Sequence, residues 1–137
     1  LLHRSDDDLK DRHVLIVDDD VSNIFALGSV LERRGMRVIT AQTGRAALAK
    51  LEATPDIDVV LMDVMMPEMD GYQTMRHIRA DARFASLPII AVTAKALKDD
   101  REKCIEAGAS DYLPKPIDND RLLELIRLWV APRGVDA

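Results

Sequence analysis

The sequence predicts a doubly wound α/β fold built on a parallel five-stranded sheet, and two observations carry that expectation. Hydrophobic runs alternate five times with segments of helical character, the pattern of strand–helix–strand units joined by short loops. The main runs are only a few residues long and apolar throughout, as parallel strands buried between two helix layers must be. Each also ends on a polar residue. Val14-Leu15-Ile16-Val17 ends at Asp18-Asp19, Val59-Val60-Leu61-Met62 at Asp63, Ile89-Ile90-Ala91-Val92 at Thr93, and Tyr112-Leu113-Pro114 at Lys115.

Residues 1–12 are polar and lack periodicity, so they read as a linker or frayed terminus, and residues 131–137 as a tail. The folded domain is expected over 13–130. After the first strand, Ile24, Leu27, Gly28 and Leu31 fall on one face of a helix that Gly35 stops. Arg37–Thr40 is a short second strand, and Gly44–Ala53 an Ala/Leu-rich helix ending before Pro55. The third strand, Val59–Met62, is followed by the loop 66–71 and a helix to Arg79, with Asp70 as its N-cap. Ile89–Val92 is the fourth strand. A helix over 97–107 stops at Gly108, and 111–113 is a brief fifth strand. The last helix is capped by Asp118 or Asn119 and sets Leu122, Leu125, Ile126 and Trp129 on one face, with Trp129 as a core anchor.

Composition excludes several classes of function. The net charge of -5, without a Lys/Arg-rich run, argues against direct nucleic-acid binding. No apolar stretch approaches the roughly 20 residues that span a bilayer, so no membrane contact is expected. The polar, acidic start is no signal peptide, and the lone Cys104 fits a reducing cytoplasm. The first residue is Leu1 rather than methionine, which is the expectation for an excised module.

In an open parallel sheet the ligand site lies beyond the carboxyl ends of the strands. Here those ends gather Asp18, Asp19, Asp63, Thr93 and Lys115 in one crevice. Crowded carboxylates repel one another unless a cation neutralises them, and Mg²⁺ is bound through a few carboxylates, water and phosphate oxygens. A carboxylate can also be the nucleophile of phosphoryl transfer, with Mg²⁺, an ammonium and a hydroxyl sharing the charge on the transferred oxygens. Asp63, the only carboxylate at the end of the third strand, is the best nucleophile candidate.

These motifs resemble the receiver domain of two-component signalling. They stand as Val17-Asp18-Asp19, Met62-Asp63 followed by Met66-Pro67-Glu68-Met69-Asp70-Gly71, Val92-Thr93-Ala94, and Lys115-Pro116. The resemblance covers roughly residues 13–130 and implies a flavodoxin-like (βα)5 fold with strand order 2-1-3-4-5. It implies Asp63 as phospho-acceptor and Asp18, Asp19 and Asp63 as Mg²⁺ ligands, with the Met65 backbone carbonyl beside them and Mn²⁺ able to substitute. It further implies Lys115 and Thr93 on the phosphoryl oxygens, Thr93 and Tyr112 as a switch pair, and a cis peptide before Pro116. The donor would be the phosphohistidine domain of a histidine kinase or a histidine phosphotransfer protein.

The segments 21–27 and 95–104 and the ending near Trp129 resemble receivers fused to hybrid sensor histidine kinases, in which case the parent chain is a kinase; a stand-alone receiver is the alternative. Two other readings stand beside these. Val14 to Ser22 also resembles the nucleophile motif of haloacid dehalogenase-like phosphatases, with Asp18 as nucleophile and Asp20 as general acid. A degenerate receiver acting only as a docking module is the other. Asp20 is otherwise a cap, His3, His13 and His77 surface or linker residues, and Cys104 a small packing residue.

Overall fold

The computed structural model describes residues 9–94 and 98–130. Its strands are β1 (His13–Val17), β2 (Arg37–Ala41), β3 (Val59–Asp63), β4 (Ile89–Thr93) and β5 (Asp111–Pro114). The helices are α1 (Val21–Glu32), α2 (Gly44–Ala53), α3 (Gly71–Arg79), α4 (Lys98–Ala107) and α5 (Asn119–Trp129), with a 3-10 turn at Ala82–Phe84 that periodicity did not reveal. All strand pairs are parallel, in the order β2-β1-β3-β4-β5.

Alternation along the strands splits the core into two layers. Leu15, Val17, Val60, Met62, Ile89 and Ala91 face Ala47, Leu51, Met75, Ile78, Cys104 and Ala107 of α2, α3 and α4. Val14, Ile16, Val59, Leu61 and Ile90 face Leu27 and Leu31 of α1 and Leu122, Leu125 and Ile126 of α5. Hence the inner strands β1, β3 and β4 read as near-continuous apolar runs. Cys104 is fully buried, and that burial raises its thiol pKa, consistent with a packing role.

Helix starts are written in local chemistry. The Asp20 side chain accepts from Ser22 N at 2.8 Å and caps α1. Thr43 caps α2, and Asp70 and Gln73 form a reciprocal capping box on α3. Asp118 caps α5. Gly35 and Gly108 end α1 and α4 at φ 84° and 120°, backbone that favours glycine.

Two expectations need correction. The lead-in over residues 1–12 is not wholly a linker: Leu9 is fully buried in the layer beneath α1 and α5, and Arg37 N donates to Arg12 O at 2.8 Å. A leucine standing alone between Asp8 and Lys10 gives no periodicity, so its burial is invisible until the sheet is assembled. Trp129 is no core anchor: it is 40% exposed, and its indole N–H donates to Asp111 Oδ2 at 3.1 Å. Leu123 is buried in that layer instead, as is Val130 just past the helix, which leaves Trp129 at the margin. Residues 1–8, 131–137 and the expected helical position Leu97 lie outside the described residues, as does Lys95.

Candidate functional site

Strand register assembles the site. Val17 pairs with Met62, so the residues one step beyond, Asp18 and Asp63, emerge side by side from adjacent strands. Asp18 N still donates to Ala41 O, and Val64 N to Val92 O, which extends the ladders past the last strand residues. On the other flank Thr93 pairs with Pro114, and Lys115 N donates to Thr93 O at 2.8 Å, fixing the start of the Lys115 side chain beside β4. The Lys115–Pro116 peptide is cis.

The five sequence-selected residues come together at this end. Asp18 and Asp63 are each 3% exposed, Thr93 is buried, and Asp19 lies on the open side. One carboxylate oxygen from each of Asp18, Asp19 and Asp63 falls within 4.8 Å of the others. Lys115 Nζ stands 3.4 Å from Asp63 Oδ1 and 3.7 Å from Asp18 Oδ2. Asp63 Oδ1 also accepts from Met65 N at 3.3 Å, while Asp18 Oδ1 accepts from Asp20 N at 2.8 Å and Asp18 Oδ2 from Asn23 Nδ2 at 3.3 Å.

The electrostatics single out Asp63. Burial and the neighbouring Asp18 charge push its carboxyl up to about 6, against the opposing pull of Lys115. Two buried carboxylates and one ammonium leave net negative charge in a confined space. Three hard oxygen donors converging there suit a hard divalent cation rather than a soft one. The buried Met62 packs in the core layer that faces α2, α3 and α4.

The loop 64–70 frames the site from the α3 side. Gly71 N donates to Val64 O at 2.9 Å, and a Cβ at Gly71 would run into the Asp63 carbonyl oxygen and the Val64 Cα. The Asp-Gly pair after the loop therefore has two jobs, cap and close approach. Asp20, the general acid of the phosphatase-like alternative, is exposed and spends its side chain capping α1. Tyr112 is half-buried on β5 with the Arg101 guanidinium 5.5 Å from its ring centre.

Two features escaped the sequence reading. Asn23 reaches back five residues to Asp18, a contact for which i, i+3 and i+4 patterns give no cue. Phe25 is 76% exposed and Val21 is also exposed, although both are apolar residues on the first turns of α1. Their offset from the Ile24–Leu27–Leu31 stripe was the available signal. His13, read as a surface or linker residue, lies in β1 with its ring between Asp56 and Asp58, 3.9 and 4.0 Å away.

Comparison with known proteins agrees with this geometry. A family model described as response regulator receiver domain matches residues 14–127. Protein PilH of Pseudomonas aeruginosa is 39% identical over 120 residues, covering 86% of this chain and 97% of that protein. Sensor histidine kinase GacS of Pseudomonas protegens is 37% identical over 119 residues, covering 85% of this chain but only 13% of the kinase. Among solved structures, the receiver domain of a Pseudomonas aeruginosa sensor histidine kinase, with a magnesium ion coordinated in its active-site cleft, superposes with a TM-score of 0.80. It is 37% identical, and the match covers 87% of this chain and 97% of that one. With the strand order, the strand-end residues and the family match in agreement, the chain belongs to the response regulator receiver domain family.

Proposed function

We propose that the domain accepts a phosphoryl group on Asp63 from a phosphohistidine carried by a histidine kinase or a histidine phosphotransfer protein. The observation that supports this best is the buried Asp63 carboxylate, held 3.4 Å from the Lys115 ammonium and grouped with Asp18 and Asp19. An Asp63 oxygen attacks phosphorus; the new O–P bond forms as the N–P bond breaks, and the histidine nitrogen keeps the electron pair. Lys115 and the Thr93 hydroxyl receive transferred oxygens, positioning and charge neutralisation being what this chemistry needs. Asp18, Asp19, Asp63 and the Met65 carbonyl would hold Mg²⁺, or Mn²⁺ in its place, and the cation would neutralise the carboxylates and phosphoryl oxygens together.

Phosphorylation then favours one of two conformations of the 97–130 surface through Thr93 and Tyr112, which adjoin α4, β5 and α5. Val21 and Phe25 on α1 and Met65 after β3 are exposed apolar side chains on which a donor could dock. The context we favour is the cytoplasmic receiver of a hybrid sensor histidine kinase, on the GacS likeness and the α1 motif; the likeness to PilH over nearly its full length supports the stand-alone alternative. Among the described residues no helix is long and apolar enough to cross a membrane.

Intact mass after incubation with acetyl phosphate and Mg²⁺ tests the chemistry. Wild type gains one phosphoryl group, Asp63→Asn gains none, and Asp18→Asn gains it more slowly. Label surviving in Asp63→Asn but lost in Asp18→Asn would instead favour the phosphatase-like reading.

A further inference from the structure

We infer that Asn23 is a positioning residue for phosphoryl transfer: its carboxamide holds one Asp18 oxygen and so leaves the Lys115 ammonium to Asp63. The inference rests on the receiver reading above. Lys115 Nζ lies between two carboxylates, and the Asp18 atom it approaches, Oδ2 at 3.7 Å, is the one that Asn23 Nδ2 reaches at 3.3 Å. The other Asp18 oxygen is taken by Asp20 N at 2.8 Å. A nearly buried carboxylate needs donors on both oxygens, and a charged donor forms the stronger bond. Without the amide, Asp18 Oδ2 would draw Lys115 toward itself and away from the 3.4 Å contact with Asp63 Oδ1. The amide orientation is set by charge, since its carbonyl facing Asp18 would repel the carboxylate.

The geometry also fixes Asp18 as a ligand. Asp20 caps α1, so its first turn is held and Asn23, the third residue of the helix, points back along the chain to the strand end. Donors on both oxygens set the carboxylate plane and thus the direction of the lone pairs left for a cation beside Asp19 and Asp63. Asn23 is half-buried in the groove it shares with Asp18, Lys115 and Pro116, so removing its side chain leaves a wet gap rather than a core cavity.

The test uses Asn23→Ala and Asn23→Leu, neither with a donor, and Ser22→Ala as a control on the same turn. Three quantities are measured: the Mg²⁺ Kd by calorimetry, the rate of acetyl phosphate labelling at saturating Mg²⁺, and the urea midpoint in EDTA. The inference expects a Kd about tenfold weaker, the usual scale for losing the partner that orients a metal ligand. It also expects slower labelling at saturating Mg²⁺, because Lys115 has shifted, with little change in the urea midpoint and no effect of Ser22→Ala. If wild type binds Mg²⁺ and is labelled but the Asn23 variants stay within twofold on either quantity, the inference is overturned. If wild type itself neither binds nor is labelled, the receiver chemistry fails first. Should Asn23→Leu not fold, Asn23→Ala carries the comparison alone.

Discussion

Replacing Asp63 by Asn is expected to make the metal-free domain more stable, although it removes the proposed acceptor. The Asp63 carboxyl is pushed from 3.8 up to about 6 by burial and by the Asp18 charge. A raised carboxyl pKa means that the native state holds the proton more tightly than the unfolded chain does. Stability from this group is therefore fully present below about pH 4, declines as pH rises toward 6, and is lost above it. At about 1.4 kcal/mol per pH unit the shift corresponds to about 3 kcal/mol, and water entering the open side of the crevice reduces this to roughly 1–3 kcal/mol. Asn has nearly the same shape, keeps an acceptor for Met65 N, and carries no charge at any pH. Urea unfolding in EDTA should find Asp63→Asn more stable than wild type by that amount at pH 7.5, with the difference closing near pH 4. Millimolar Mg²⁺ should reverse the order, because only wild type presents the third carboxylate. An Asn variant no more stable than wild type at pH 7.5 in EDTA would refute the reasoning, as would a gain that ignores pH.

Three further outcomes follow from particular contacts. Gly71→Ala should destabilise by about 2 kcal/mol, the range for overpacking, because its Cβ meets the Asp63 carbonyl and Val64 Cα; a urea midpoint equal to wild type would contradict this. Arg79 donates to Gly108 O, Phe84 O and Ser110 Oγ at 2.8, 2.7 and 3.3 Å, tying α3 to the turns before β4 and β5. Arg79→Met should cost about 2–3 kcal/mol and raise amide exchange at 108–110 in hydrogen-exchange mass spectrometry. Met65 is 60% exposed at the crevice and cannot orient an attacking water, so the phosphorylated domain should outlast a timescale of seconds and Met65→Gln should shorten its lifetime, followed by loss of the added mass.

Much of the architecture was legible because burial on both faces makes the inner strands β1, β3 and β4 short apolar runs, and because caps are local. Asp70 could be named as an N-cap from its neighbours alone, and Gly35 and Gly108 as stops. The boundaries moved by only a residue or so, as at β4, where the ladder runs on to Thr93. Trp129 was misplaced because Leu122, Leu125, Ile126 and Trp129 share a face by period, yet burial takes in Leu123 and Val130 rather than Trp129, which depends on how α5 sits on the sheet. Leu9 was missed because a single apolar residue has no period, and its burial depends on the sheet being assembled.

The same division runs through the site. The sequence alone determined which residues stand at the carboxyl ends of the strands, and their chemical types already pointed to a cation and a phosphoryl group. Only the tertiary structure decided the distances among them, since the parallel register β1–β3–β4–β5 brings together residues separated by dozens of positions in the chain. It also decided which carboxyl bears the cost of burial, how Lys115 is shared between Asp63 and Asp18, and that Asn23 reaches back to hold Asp18. Those are properties of packing and of summed fields, which depend on where groups lie in space and have no period in a sequence.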